Sequence, residues 1–123
     1  GAHPLLPDAL VQGSLEILWR LEALLKEITG FPAGTLQPAA GAQGELTGVL
    51  LIRARLDAKG ERRRYMLVPD SAHGTNPASA HIAGFEVREV KSLADGTVDI
   101  AHLEEQMDAD VAGLMLTNPN TLG

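Results

Sequence analysis

The sequence predicts an α/β fold built on a parallel sheet. Strand-like runs at residues 64–69, 85–90 and 111–117, with a weaker one at 35–40, alternate with helix-like segments. That order implies a sheet covered by helices. The composition suits a packed core: of 123 residues, 45% are hydrophobic and 21% charged, as in globular rather than disordered chains. No repeat, low-complexity tract or linker divides the chain. One partial domain over 1–123 is expected, with 1–12 as an extended N-terminal segment.

Residues 14–29 read as an amphipathic helix. Leu15, Ile17, Leu18, Leu21, Leu24, Leu25 and Ile28 recur at a spacing near 3.6, and Ser14 is a candidate N-cap. Gly30 and Pro32 stop it. Residues 35–40 could be extended, although Pro38 weakens a strand there. A second helix runs from Gln43 to about Lys59 and ends at Gly60. Arg64–Pro69 is a buried strand. A short helix over 77–83 follows, with Asn76 as cap and Pro77 at its first position. Phe85–Val90 alternates like a half-exposed strand. Gly96 marks a turn, and Asp99–Met107 is a helix with an acidic start. Val111–Thr117 reads as a fully buried strand. No covering helix follows it, so a fragment of a longer protein is expected.

Ten Lys and Arg against sixteen Asp and Glu give a net charge of −6. A grip on nucleic acid needs a basic face, so that class is set aside. Cysteine is absent, which removes disulfides, thiolate metal sites and thiol nucleophiles. No apolar run reaches the ~18 residues of a membrane helix, and the start has no signal-peptide pattern. Four aromatic residues (Phe31, Phe85, Trp19, Tyr65) are too few for a stacking surface.

In parallel sheets ligands sit at the carboxyl ends of the strands. Three polar loops are expected there: 39–45, 70–79 and 117–121. The first is small and Gly-rich and opens a helix, where free amides and the helix dipole suit a phosphate. Gly41, Gly44 and Gly48 match neither a dinucleotide fingerprint nor a P-loop, and a tight helix entry without ligand explains them equally. The second carries His73, which could serve as acid or base, as a ring stacked on a flat cofactor, as a metal ligand, or only as a turn residue. His81 and His102 fit no zinc spacing and read as surface residues on helices; no metal site is expected. The third holds Asn118 and Asn120 around Pro119, a routine turn starter. Glu61–Arg64 reads as a solvated charge run. Ser71 lacks a nucleophile elbow.

Taken together the loops are more specific. Residues 12–16 (QGSLE), 35–48 (TLQPAAGAQGELTG), 68–79 (VPDSAHGTNPAS) and 114–123 (LMLTNPNTLG) closely resemble the glycine decarboxylase family. These are the pyridoxal-phosphate (PLP) P-proteins of the glycine cleavage system. The similarity is to the carboxyl-terminal half of the long form, or to subunit 2 of the two-subunit form, and runs from about His3 to Gly123.

The resemblance implies part of the large domain of a fold-type I PLP-dependent transferase, a partial three-layer parallel sheet. It implies an enzyme that decarboxylates glycine and passes the aminomethyl group to the lipoyl arm of H-protein. Ala40, Gly41, Ala42 and Gln43 would lie at the cofactor phosphate, His73 would stack on the pyridine ring, and Asn118 would lie near its phenolic oxygen. The family's anchoring lysine belongs to a downstream motif. Lys26, Lys59 and Lys91 do not match it, so the chain alone is expected to be inactive. The family's strand before the phosphate loop is flanked by later strands, so a strand at 35–40 is expected to be detached or to pair with another copy. A homo-oligomer and the other P-protein subunit are expected partners. Nucleic acid and membrane are not. The expected location is the bacterial cytoplasm, or the mitochondrial matrix in a eukaryote. The alternatives are another fold-type I PLP enzyme and a non-catalytic interaction module.

Overall fold

The computed structural model describes residue 3 and residues 5–122. Gly1, Ala2, Pro4 and Gly123 lie outside the described residues, and the described part of the segment expected to be extended over 1–12 is not extended throughout, since a 3-10 helix and the start of the first long helix fall within it. A 3-10 turn at Asp8–Leu10 leads into α1, Gln12–Thr29. Then come α2 (Gly41–Lys59), β1 (Tyr65–Pro69), α3 (Thr75–Ile82), β2 (Glu86–Val90), α4 (Ile100–Gln106) and β3 (Val111–Leu114). The chain divides into two units, Gly1–Ala39 and Ala40–Gly123.

In the first unit α1 begins two residues before the expected cap. Ser14 falls inside the first turn, because the 3-10 turn already organises the entry: Gln12 Nε2 donates to the Asp8 carbonyl at 2.9 Å. Gly30 closes the helix at φ 72, a left-handed conformation that glycine adopts without strain. The segment after it folds back along the last turns, where Glu22, Lys26 and Phe31 are among the residues around a cavity of about 120 Å³. The apolar stripe of α1 stays open, with Trp19 70% and Ile28 78% exposed.

The second unit holds the sheet. All pairings are parallel and the strand order is β2-β1-β3. Alternation along β1 builds two cores. Met66 and Val68 pack with Val49 and Leu56 of α2, Ala80 of α3, Ala83 and Phe85. Leu67 faces the other way, with Val90 and Val111, and Leu103 of α4 packs against them. Helices therefore cover both faces, as the alternating sequence implies. β3 skips a register at Ala112, so Tyr65 pairs with Val111 and Met66 with Gly113. A Cβ on Gly113 would stand 3.3 Å from Met66 Sδ, so β3 approaches the core closely only because this residue is glycine.

Three expectations change. Residues 35–40 form no strand: Pro38 lacks a donor, and the Gln37 amide bonds locally to Thr35 Oγ1 at 3.2 Å. The final strand is not fully buried and ends at Leu114, because β3 is an edge with no outer neighbour among the described residues. α3 starts at Thr75 with Gly74 before it, so Asn76 is not the cap and Pro77 is the third helical residue. The Asn76 side chain is used elsewhere, as described below. The acidic start of α4 holds: Asp99 accepts the His102 amide at 3.0 Å.

Arg53 of α2 ties α3 into place. Its guanidinium donates to the Ala83 and Gly84 carbonyls at 3.1 and 2.8 Å and lies 3.8 Å over the Phe85 ring. Charge-assisted bonds to carbonyls and cation–π stacking each contribute on the order of 1 kcal/mol. Arg53→Ala is expected to lower the unfolding free energy by roughly 1–3 kcal/mol in urea titrations. An unchanged midpoint would contradict this role.

Candidate functional site

Parallel strands place the loops after β1, β2 and β3 on one rim of the sheet. The start of α2 reaches the same rim, for a geometric reason. Glu45, near the start of α2, meets Thr75 at the start of α3, and Arg53 further along α2 meets Ala83 just past the end of α3. The two helices therefore run in the same direction, and both open at the carboxyl ends of the strands.

The opening of α2 has no side-chain cap, and Ala40 precedes it in an extended conformation. The ladder begins when the Gly44 amide bonds to the Ala40 carbonyl at 3.0 Å. The amides of Gly41 and Ala42 lie before that bond and have no intrahelical acceptor. Residues 40–43 are exposed. Gly41 and Gly44 have no positive φ, and a Cβ on either would meet nothing within 4 Å. Among the described residues, neither backbone strain nor crowding requires glycine at these positions. The space in front of them is open.

His73 sits in the exposed loop between β1 and α3, and a short polar chain connects it to α2. Its Nδ1 lies 2.9 Å from Thr75 Oγ1, and the Thr75 amide donates to the same nitrogen at 3.2 Å. Thr75 Oγ1 donates to Glu45 Oε2 at 2.6 Å. With its amide nitrogen turned to Glu45, buried Asn76 donates to both carboxylate oxygens, at 3.2 and 3.1 Å. Gly44, Glu45, Gly48 and Asn76 share a cleft of about 400 Å³ with Met115 and Thr117. The structure thus joins the His73 loop to the first turns of α2, so two of the three expected loops meet.

The other end of the His73 loop is anchored at Asp70. Its carboxylate accepts the Ser92 hydroxyl in a very short bond and the Ser92 amide at 3.0 Å. The Ser92 hydroxyl is the main cause that holds this carboxyl below the usual carboxylate range. Asn118 lies elsewhere on the rim. It lines a cavity of about 290 Å³ with Asp95, Gly96, Thr97 and Val98. Its loop is tied down by Asn120 Nδ2, which donates to the Gly96 carbonyl at 2.7 Å, and by Thr121 Oγ1, which donates to the Ser71 carbonyl at 2.5 Å. The third loop therefore touches the second through Ser71. His81 is exposed on α3, whereas His102 is half-buried and its Nδ1 accepts the Lys91 amide at 3.1 Å.

No protein-family model matches the chain. Curated relatives match it closely. It is 58% identical over 122 residues to the probable glycine dehydrogenase (decarboxylating) subunit 2 of Kosmotoga olearia, covering 98% of this chain and 25% of that protein. The proteins of the same name from Thermococcus onnurineus and Chlorobium phaeobacteroides are 60% and 55% identical, again over 98% of this chain. Over nearly its whole length the chain is similar to proteins named glycine dehydrogenase (decarboxylating) subunit 2. It spans about a quarter of the length of the curated relatives it matches. Solved structures agree on the fold. A Burkholderia pseudomallei sphingosine-1-phosphate lyase superposes with a TM-score of 0.58 and 28% identity over 61% of this chain and 18% of its own. Oryza sativa TDC, solved with PLP, gives 0.58 and 23% over 76% and 25%. The fold is the partial fold-type I α/β sheet that the resemblance implied.

Sequence reasoning left Glu45, Thr75 and Ser92 without a role, and gave Asn76 only that of a helix cap. Glu45 and Thr75 lie in the segments 35–48 and 68–79 of this chain, but they are 30 positions apart. Nothing in local spacing signals that they touch.

Ser92→Ala tests the anchor of the His73 loop. Asp70 has a lowered folded value, so its stabilisation is present above the unfolded carboxylate value of about 3.9. It is lost as pH falls through the lowered folded value. The variant should be less stable than the parent near neutral pH, and the gap should narrow on acidification. Its Asp70 carboxyl should titrate at higher pH by carbon-13 NMR. An unchanged titration would contradict the anchor.

Proposed function

We propose that this chain carries the phosphate-and-ring side of a PLP cradle in an enzyme that decarboxylates glycine. One observation carries the reading: the glycine-lined, side-chain-uncapped start of α2 opens at the same rim as the His73 loop and is bonded to it through Glu45 and Thr75. A phosphate dianion fits such an opening, since unpaired amides and the positive helix end favour it. Open space where a Cβ would stand lets the anion come close. The homology to glycine dehydrogenase (decarboxylating) subunit 2 supports glycine as the substrate.

In this reading the backbone amides of Gly41 and Ala42 bind the phosphate, with Ala40 and Gln43 flanking them. The His73 ring covers one face of the cofactor and excludes water from it. Asn118 stands toward the phenolic oxygen. When bound, PLP supplies an electron sink for the carbon left by departing carbon dioxide. The lipoyl arm of H-protein, the other P-protein subunit and further copies of the chain are the partners this reading carries. The anchoring lysine is not among the three lysines here. Lys26 pairs with Glu22 at 3.0 Å, Lys59 lies 3.8 Å from Glu61, and Lys91 follows β2.

Gly41→Asp separates binding from stability. An acidic residue in the first turn of a helix is neutral or stabilising, yet it repels a phosphate. The variant should keep the parent's melting temperature and bind PLP roughly tenfold more weakly, a loss of about 1.4 kcal/mol. Equal affinity would count against the cradle. Borohydride reduction of the PLP-saturated chain followed by intact mass should show no covalent adduct at a single site. A stoichiometric adduct would place an anchoring lysine within this chain.

A further inference from the structure

We propose that Glu45 and Thr75 are positioning residues that hold a proton on Nδ1 of His73 and leave Nε2 as its open acceptor. This deepens the reading of His73 as the ring against the cofactor. It rests on that reading for its meaning and not for its test.

Counting protons leads there. Thr75 has one hydroxyl proton and two acceptors in reach: Glu45 Oε2 at 2.6 Å and His73 Nδ1 at 2.9 Å. A carboxylate is the stronger acceptor, and here it is also the nearer one. The proton therefore goes to Glu45. Asn76 keeps the carboxylate in place, since it is only 4% exposed and its amide nitrogen donates to both Glu45 oxygens.

The Thr75 oxygen then presents only lone pairs to Nδ1. Lone pair against lone pair at 2.9 Å is repulsive, and the contact becomes a hydrogen bond when Nδ1 carries the proton. The Thr75 backbone amide pulls the other way, because it donates toward Nδ1 at 3.2 Å. Of the two contacts it is the longer. Without the carboxylate, the hydroxyl proton is free to turn to Nδ1, and hydroxyl and amide together make that nitrogen an acceptor. Without the hydroxyl, the amide alone does so. The balance between the tautomers therefore depends on a carboxylate two bonds removed from the ring, on a different helix.

The test is nitrogen-15 NMR of the histidine-labelled chain at about pH 8, where the two ring nitrogens of a neutral tautomer are told apart. In the parent, His73 should show a protonated Nδ1 and an unprotonated Nε2. Glu45→Gln and Thr75→Val should each move the proton to Nε2, while Thr75→Ser should keep the parent pattern. His81 and His102 report in the same spectra that the fold is intact. If Glu45→Gln fails to fold, the Thr75→Val and Thr75→Ser pair decides. A parent His73 protonated on Nε2, or variants that leave its tautomer unchanged, would overturn the proposal. PLP titration is read separately. Loss of cofactor binding with the tautomer change intact would sink the cradle and leave the positioning chain standing.

Discussion

Burial of β1 on both faces is the constraint on which the rest of this molecule depends. Met66, Leu67 and Val68 are each 3% exposed or less. A strand with no polar face has to be covered above and below, and its own backbone groups have to be paired on both sides. β2 and β3 supply the pairing. α2 and α3 cover the Met66–Val68 face, and the Leu67 face is closed by Val90, Val111 and α4. Each hydrophobic side chain buried there contributes roughly 1.5–3 kcal/mol. Because the pairings are parallel, the same burial gathers the polar loops at one rim.

That rim is shaped by carboxylates in structural roles. Asp70 holds the first residue of the His73 loop to Ser92, beyond β2. Glu45 holds the far end through Thr75 and Asn76. A loop fixed at both ends presents a ring with little conformational freedom, which lowers the entropy that a ligand would have to overcome. In a PLP site built this way, the side chains that shape it do not have to touch the cofactor.

The sheet edges show where local signals mislead. Val111–Thr117 has the apolar run of a central strand, yet Leu114 and Leu116 are 39% and 57% exposed, because β3 has no outer neighbour among the described residues. An apolar run encodes a demand for burial, while the sheet order decides whether that demand is met. α1 makes the same point. Its periodicity gave the helix correctly, but its stripe remains open, with Leu24 at 60% exposure.

Taken by itself, the sequence determined the elements that rest on short-range physics. Helical periodicity and the stops at Gly30 and Gly60 gave α1 and α2. Alternation and apolar runs gave β1 and β2, and Asp99 gave the start of α4. The motifs around Gly41 and His73 carried the resemblance to the glycine decarboxylase family. Tertiary structure alone decided the strand order and the role of Asn76, which serves Glu45 rather than capping α3. It alone joined Glu45 to Thr75. The reason is distance along the chain. A cap or a turn is settled by neighbours within about four residues. A bond between side chains 30 positions apart exists only after β1 is buried and α2 and α3 lie side by side on it.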